Sequence, residues 1–535
     1  MMTARELYNK LTGQRAQFLT TAREASRLTL PYLIRYNESL SGSAEVLTTP
    51  WQSVGAKGVV TLASKLMLAL LPPQTSFFKL QVNDGKVPTT ELDPGIRSEL
   101  DLSFAKVERT IMEGIAASDD RVVVHQAIKH LIVAGNALLF MGKDGMKMYP
   151  LNRYVLERDG NGNVTCIVTK ESVSKKLLKN FYPDYKEPEP NEVSAGGGLE
   201  TGYNYGAGDD ECEVYTKVYR EGNNWKWYQE VDDQELPGTS GRATKDTNPW
   251  IPLRFNFVEG EVYGRGRVEE FLGDLKSLEA LSQALVEGSA AAAKVVFTVS
   301  PSSTTKADTL ARAGNGAIIQ GRPDDIGVVQ VGKTADFRTA YEMAMGLEKR
   351  LADAFLIMQV RNSERTTAEE VRLTQLELER QLGGLFSLLT VEFLVPYLNR
   401  KLSIAQKAGE IPKLPKNGVV RPAIVAGINA VGRGQDAESL AQFLTTISQT
   451  MGPQAIGTLI NSEEVVKRLA AAQGIDTLNL VKSMQEVQAE RQAMMQQQQQ
   501  MEMTKQAGQF AQVEQKREEM INADIQEEQA QALGA

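Results

Sequence analysis

Cysteine and histidine are nearly absent from this 535-residue chain, which has two of each: Cys166 and Cys212, His125 and His130. Two thiols 46 positions apart exclude a disulfide framework and a thiolate metal cluster, and they suit a chain made and folded in a reducing cytosol. The two imidazoles lie five residues apart on one predicted helix, about 500° round its axis, so they share no tight face. No His-Glu-x-x-His stretch and no Gly-x-Ser-x-Gly elbow occurs. No metal, cofactor or catalytic residue is expected.

Long apolar runs are missing too. The longest, Leu66 to Pro73 and Leu131 to Phe140, fall well short of the roughly 20 residues that span a bilayer. Met1 to Thr12 is polar and charged, so neither a membrane span nor an export signal is expected. Positive charge is in deficit: 59 Lys and Arg against 67 Asp and Glu give a net charge of -8. That balance excludes a generally basic nucleic-acid-binding surface and leaves room for a local basic ring.

Phosphate-binding motifs are absent as well. Gly55-Ala56-Lys57-Gly58 lacks the Ser or Thr that follows a P-loop lysine, and the preceding glycine spacing is wrong. Gly264-Arg265-Gly266 lacks the third glycine of a dinucleotide fingerprint. The carboxylate pairs Asp119-Asp120, Glu269-Glu270, Asp324-Asp325 and Glu369-Glu370 are adjacent in sequence. On a helix they point about 100° apart, so none alone makes a two-metal site. The pattern is that of a scaffold, not a catalyst.

What is present is ample core material, 42% hydrophobic, in a chain long enough for three or four domains or one large interdigitated body. Helical periodicity covers the first 30 residues, then Trp51 to Leu71, where Val59, Leu62, Leu66 and Leu70 share a face and Gly55, Ala56, Gly58 and Ala63 permit close approach. Pro72 and Pro73 end that helix. Phe77, Phe78 and Leu80 suggest a short strand, and two more helices follow at about 97–117 and 121–134.

From 142 to 260 the period shifts toward strands, among them Tyr154 to Arg158, Val164 to Val168, Glu213 to Arg220 and Trp225 to Glu230. Asp159-Gly160-Asn161-Gly162 and Gly222-Asn223-Asn224 predict hairpin turns, and 186–210 reads as a surface loop. The fold class is α+β. A helix from about Arg267 to Lys294 then ends in the small-residue run Gly288 to Ala293, which either permits tight contact with a neighbour or leaves room beside a narrow opening. A β-rich, glycine-punctuated stretch over 295–335 and a helix from Asp336 to Phe355 complete a helix, β insert, helix order.

Leu356 to Thr366 is a polar-tipped interruption, after which Thr366 and Glu369 fit a capping box. The helix that follows, about 367–399, is softened at Gly383-Gly384 and bent or relaunched near Pro396. A linker spans 409–422, and two or three helices fill 434–480. From Ser483 the chain is rich in Gln, Met, Glu and Ala, good helix formers; it is either disordered or a long helix stabilised within an oligomer.

Five collinear patches resemble the portal proteins, or head-to-tail connectors, of short-tailed podovirus-type bacteriophages. They are Trp51 to Gly55 with Leu62 to Met67 and Leu70 to Gln74; Leu131 to Ala137; Tyr263 to Gly266 with Leu272 to Glu279; Arg365 to Val371; and Ala430 to Asp436. The resemblance implies a phage portal fold: wing (1–265 and 367–425), two-helix stem (266–294 and 336–355), small β-containing clip (295–335), tunnel loop (356–366), helical crown (426–480) and a C-terminal helical barrel or flexible tail (481–535).

It also implies a homo-oligomer, a ring of twelve subunits or thirteen in isolation, at the portal vertex of the capsid in the virion, with double-stranded DNA in its channel. The implied partners are the terminase large subunit during packaging, the major capsid and scaffolding proteins, and tail adaptor and internal core proteins. Another oligomeric virion component, such as a tail adaptor or internal core protein, is the alternative.

Within that frame Arg361, Arg365 and Asn362 are candidates for DNA contact in the channel, with Glu364 moderating the charge; ordinary loop arginines paired with neighbouring carboxylates are the other reading. Lys294, Lys333 and Arg338 are further channel candidates. Phe297, Ile318, Ile319 and Val329 either pack between subunits in the clip or form a local hairpin core within one subunit.

Overall fold

The computed structural model describes residues 2–35, 46–73, 76–82, 94–143, 145–182, 211–293, 296–314, 316–329, 334–357, 383–412, 420–424 and 433–452, with short pieces between 465 and 523. These fall into two compact units, 1–430 and 431–535.

The first unit opens with helix α1, Ala4–Arg27. Thr3 starts it with a capping box: its hydroxyl accepts from the Glu6 amide, and the Glu6 carboxylate accepts from the Thr3 amide. The buried carboxylate of Glu230 accepts from the Ala4 amide at 2.8 Å and the Arg5 amide at 3.3 Å. Negative charge on orphan N–H groups at a helix N-terminus is favourable, so this contact seats α1 on the sheet beneath it.

α2 (Val54–Leu70) and α4 (Asp120–Ala134) pack together in the largest core cluster, to which α3 (Pro94–Ala117) contributes Phe104, Val107, Ile111 and Ile115. α4 ends where the sequence predicted, at Gly135 in the left-handed region (φ 73), and strand β2 (Asn136–Met141) follows directly. β2 is the middle of a three-stranded antiparallel sheet, between β3 (Met146–Tyr149) and a later strand, Trp250–Arg254.

The larger sheet has six strands. β4 (Tyr154–Arg158), β5 (Val164–Ser174), β6 (Glu211–Glu221) and β7 (Asn224–Val231) form an antiparallel meander, extended by the short strands Gln234–Glu235 and Gly241–Thr244, both paired to β7. Both predicted hairpin turns stand where expected, between β4 and β5 and between β6 and β7. α1 lies on this sheet, with Tyr8 and Leu11 packed against Val155, Val168 and Tyr215.

One pairing was not visible in the sequence. The predicted strand at Phe78 is real (Phe78–Val82), but its partner is Val420–Ile424, which begins within the stretch read as a linker and runs past its end. The helix expected over 367–399 is described from 383 onward and differs in its interior. Residues 383–389 are α-helical, Thr390–Leu394 form a π turn, and Val395–Ala408 continues as α-helix with Pro396 in its first turn. A wider turn just ahead of a proline absorbs the ring and the missing N–H, which is the relaunch expected at Pro396. Gly383 and Gly384, where softening was expected, are the first two residues of the described helix, and the stretch before them lies outside the described residues. The capping box at Thr366 and Glu369 and the loop at 186–210 lie outside the described residues.

In the second unit, Arg433–Met451 is one of the helices expected over 434–480. Most of the remainder, the Gln-rich run included, lies outside the described residues, although Met494 and Met495 are helical and exposed.

Candidate functional site

The feature that stands apart in the first unit is a helix pair carrying a β insert. A short helical turn, Arg267–Glu270, leads through Phe271 into α7, Leu272–Ala293. Strands Val296–Val299 and Ile326–Val329 pair antiparallel at the far end, and α9, Thr334–Ala354, returns. Arg350 on α9 reaches Asp274 at the start of α7 at 3.3 Å, while Phe337 at the start of α9 lies on Gly288 near the end of α7. The two helices are therefore antiparallel, as the helix, β insert, helix order predicted.

Burial along the pair is graded. At the base, Leu275, Leu278, Leu347, Leu351 and Phe355 are buried in the main core. Farther out, Val286, Tyr341, Met343 and Met345 are each about half exposed or more. Gly288 supplies the close approach expected of the small-residue run, because a Cβ there would collide with the Phe337 ring. Ser289, Ala290 and Ala291 are exposed.

The base is fastened by polar contacts as well. Glu279 on α7 accepts from the backbone amides of Trp51 (3.0 Å) and Gln52 (3.2 Å), and Lys276 pairs with Glu24 of α1 at 2.7 Å. Gln52 bridges onward, donating to the Leu28 carbonyl at 2.7 Å and accepting from the Gly55 amide at 2.9 Å. Phe355 seats directly on Gly58 of α2, where an added Cβ would lie 2.7 Å from its ring. The close approach read from Gly55 and Gly58 is thus used against α1 and the end of α9.

The C-terminus of α9 closes through Leu356, a non-glycine residue at φ 56, with the Ile357 amide donating to the Ala352 carbonyl at 2.8 Å. Two cations cover the freed carbonyls. Lys65 Nζ donates to Leu356 O at 2.7 Å, and Arg267 donates to Ala354 O at 3.2 Å. Positive charge there complements the helix dipole, and burial holds the Lys65 ammonium below its ordinary pKa. Neither residue stood out in the sequence, because the carbonyl that each meets belongs to a distant segment.

Arg338 is the one channel candidate among the described residues. It is exposed on α9 and pairs with Glu342 one turn on, at 3.1 Å. Arg361, Asn362, Arg365, Lys294 and Lys333 lie outside the described residues. Phe297 stands opposite Val328 in the two-stranded ladder, and Val329 opposite Val296. Ile318 and Ile319 fall outside that ladder, in irregular chain, with Ile318 fully exposed; the strand expected at 317–319 does not form.

The histidines and two of the carboxylate pairs make contacts within the fold, while Glu369-Glu370 lies outside the described residues. His130 is buried and His125 half-buried; burial, helped by the nearby Lys129 charge, lowers both pKa values, that of His130 to about 4. Asp120 is buried and accepts from Tyr397 Oη and Lys401 Nζ, each at 2.6 Å. Glu269 and Glu270 pair separately with Arg265 (2.5 Å) and Arg267 (2.6 Å). Among the described residues no group of three or more His, Cys, Asp or Glu could hold a metal ion, and no helix is long and apolar enough to cross a membrane.

A model of the family "bacteriophage head to tail connecting protein" matches residues 2–481. The portal protein of Escherichia phage T7 is 36% identical over 519 residues, covering 95% of this chain and 93% of that protein. That of Enterobacteria phage T3 is 37% identical over 495 residues, covering 91% and 89%. The portal protein of Pseudomonas phage phiKMV is 30% identical over 498 residues, covering 91% and 93%. Among solved structures, a chain of the virion of a native gene transfer agent particle aligns over 78% of this chain and 89% of its own, at TM-score 0.34 and 11% identity.

Proposed function

The chain belongs to the bacteriophage head-to-tail connecting proteins, and from that membership we infer that it is a portal protein. It is a structural component of the virion, not an enzyme, and sits at the portal vertex. Copies form a ring whose channel passes double-stranded DNA into the capsid during packaging and out during ejection. One face of the ring is the docking platform for the packaging motor and then for the tail. The observation that carries this reading is the match over residues 2–481, backed by 36% identity to a portal protein across 95% of the chain. Matches of that extent to portal proteins displace the tail-adaptor and internal-core alternatives.

At the finer level, α7 and α9 are the stem and the β-tipped insert is the clip. Residues 1–265 and 367–425 are the wing, 356–366 the tunnel loop, 426–480 the crown, and 481–535 a C-terminal barrel or flexible tail. An antiparallel helix pair anchored at its base and exposing large apolar side chains farther out supports that assignment, since a subunit in a ring has such surfaces to cover. The ring has twelve copies, with thirteen as a variant in isolation. The clip meets the terminase large subunit during filling and tail adaptor proteins afterwards; major capsid, scaffolding and internal core proteins are the other proposed partners.

The net charge of -8 suits a conduit. Each neutralised phosphate adds sequence-independent affinity, so a basic lumen would grip DNA and slow its sliding. Sparse cations fit better. Arg338 follows that rule, its charge moderated by Glu342. Arg361, Arg365 and Asn362, with Lys294 and Lys333, are proposed as the remaining DNA contacts.

Electron microscopy of the purified protein, with native mass on the same sample, tests the assignment. The expected result is a ring with a hole wide enough for duplex DNA and a mass twelve times 58.8 kDa. Failure to form any ring, even with scaffolding and capsid proteins present, overturns it.

A further inference from the structure

A cavity of about 430 Å³ lies along α1, where the helix runs past Lys170 of β5. Its wall carries Asn9, Thr12, Arg15, Thr20 and Arg23 from one side of α1, and Lys170 from the sheet. Three of these side chains are cations, and among the described residues no carboxylate lines the space. Lys170 also holds Glu213 at 2.7 Å, but Glu213 is not part of the wall.

Arg15 makes this more than a basic patch. Its side chain is 2% exposed. One terminal nitrogen, Nη1, donates among four neutral oxygens: Tyr8 Oη, Leu151 O and Asn152 O at 3.1 Å each, and Tyr154 O at 2.7 Å. Nε is buried with no hydrogen-bond partner. None of these partners carries a negative charge. A guanidinium this deep is normally matched by a carboxylate, because desolvating an uncompensated charge is unfavourable. The carbonyls and the face of the Tyr8 ring, 5.4 Å from Cζ, hold Arg15 in place without a negative counter-charge, beside a cavity that Arg23 and Lys170 also line.

We infer that this cavity is a binding site for a single oxyanion of phosphate or carboxylate class, with Arg15 as its fixed floor and Arg23 and Lys170 as its outer contacts. A guanidinium recognises such groups by charge-assisted, often paired, hydrogen bonds, and the Asn9, Thr12 and Thr20 side chains supply neutral polar groups around them. The site lies on the N-terminal helix and does not depend on the channel assignment.

Inorganic phosphate is the probe. Equilibrium dialysis of the full-length protein against labelled phosphate, at constant ionic strength in chloride, counts bound anions per chain. The expected result is one saturable site per chain, weakened about tenfold or more by Arg23→Gln and by Lys170→Gln, which lie at the cavity's outer side and leave the Arg15 anchorage in place. Matching thermal melts of the two variants confirm that they fold. Acetate added as competitor separates the sources: displacement at comparable concentration assigns a carboxylate ligand, and resistance to acetate assigns a phosphate. Absence of saturable binding, or equal phosphate affinity in wild type and both folded variants, overturns the inference.

Discussion

Asn136 and Gly264, 128 positions apart, are joined by both ends of one side-chain amide: Asn136 Nδ2 donates to the Gly264 carbonyl at 2.7 Å, and the Gly264 amide donates to Asn136 Oδ1 at 2.7 Å. The asparagine thus pairs with a backbone as a neighbouring strand would. The approach demands glycine on both segments. A Cβ on Gly264 would lie 2.8 Å from Arg254 Cβ and 2.9 Å from the Gly135 carbonyl, and one on Gly135 would lie 2.5 Å from the Gly264 carbonyl. The lock ties the end of α4 to the segment that leads into the helix pair.

Asn136→Ala leaves a buried donor and a buried acceptor unpaired on Gly264. The expected loss is about 2 kcal/mol or more of unfolding free energy, read from denaturant midpoints at unchanged slope. A change below about 0.5 kcal/mol would mean that water replaces the amide and that the lock is incidental.

Gly58→Ala places a methyl against the buried Phe355 ring, with no flexible side-chain end to give way. Overpacking of this kind is destabilising by roughly 1–3 kcal/mol. Because Phe355 ends α9, faster amide exchange in the last turn of α9 should accompany the loss. Exchange that rises only elsewhere would place the strain outside the helix-pair base.

His130 gives the fold a pH dependence with a definite sign. Its pKa is lowered from 6.5 to about 4 by burial first and by the Lys129 charge second. Between those values the unfolded chain binds a proton that the folded chain refuses. Stability is therefore full above about pH 6.5 and falls as pH drops toward 4, by about 3 kcal/mol from this residue. His130→Gln removes the titration, so its unfolding free energy should vary less than that of wild type over the same window. Identical pH profiles for the two proteins would exclude His130 as the source.

Arg361→Ala with Arg365→Ala addresses the proposed tunnel loop. Rings should still assemble, while packaging rate or retention of packaged DNA changes, with a weaker dependence on salt as phosphate contacts are removed. If assembly, rate and retention all match wild type, the loop arginines have no part in handling DNA.

Much of the local structure could be read directly. Gly135 announced the end of α4, Asp159-Gly160-Asn161-Gly162 announced the β4–β5 hairpin, and the periodicity of Leu272 to Leu285 announced α7, because caps, turns and helical faces depend on residues a few positions apart. The collinear motifs carried the family in the same way. Long-range pairings stayed hidden. Phe78–Val82 could be recognised as a strand, but its partner Val420–Ile424 carries Pro422 and a charged Arg421, and nothing local to it announces a ladder more than 300 residues away.

The candidate site divides along the same line. The helix, β insert, helix order was fixed by the sequence, since each segment declares its own period. That Lys65 and Arg267 would cover the end of α9, that Gly58 would receive Phe355, and that Arg15 would be buried among neutral oxygens beside a cavity were decided only by the tertiary structure. A charged side chain is solvated by default, and only the packing of distant segments removes that water and selects what replaces it.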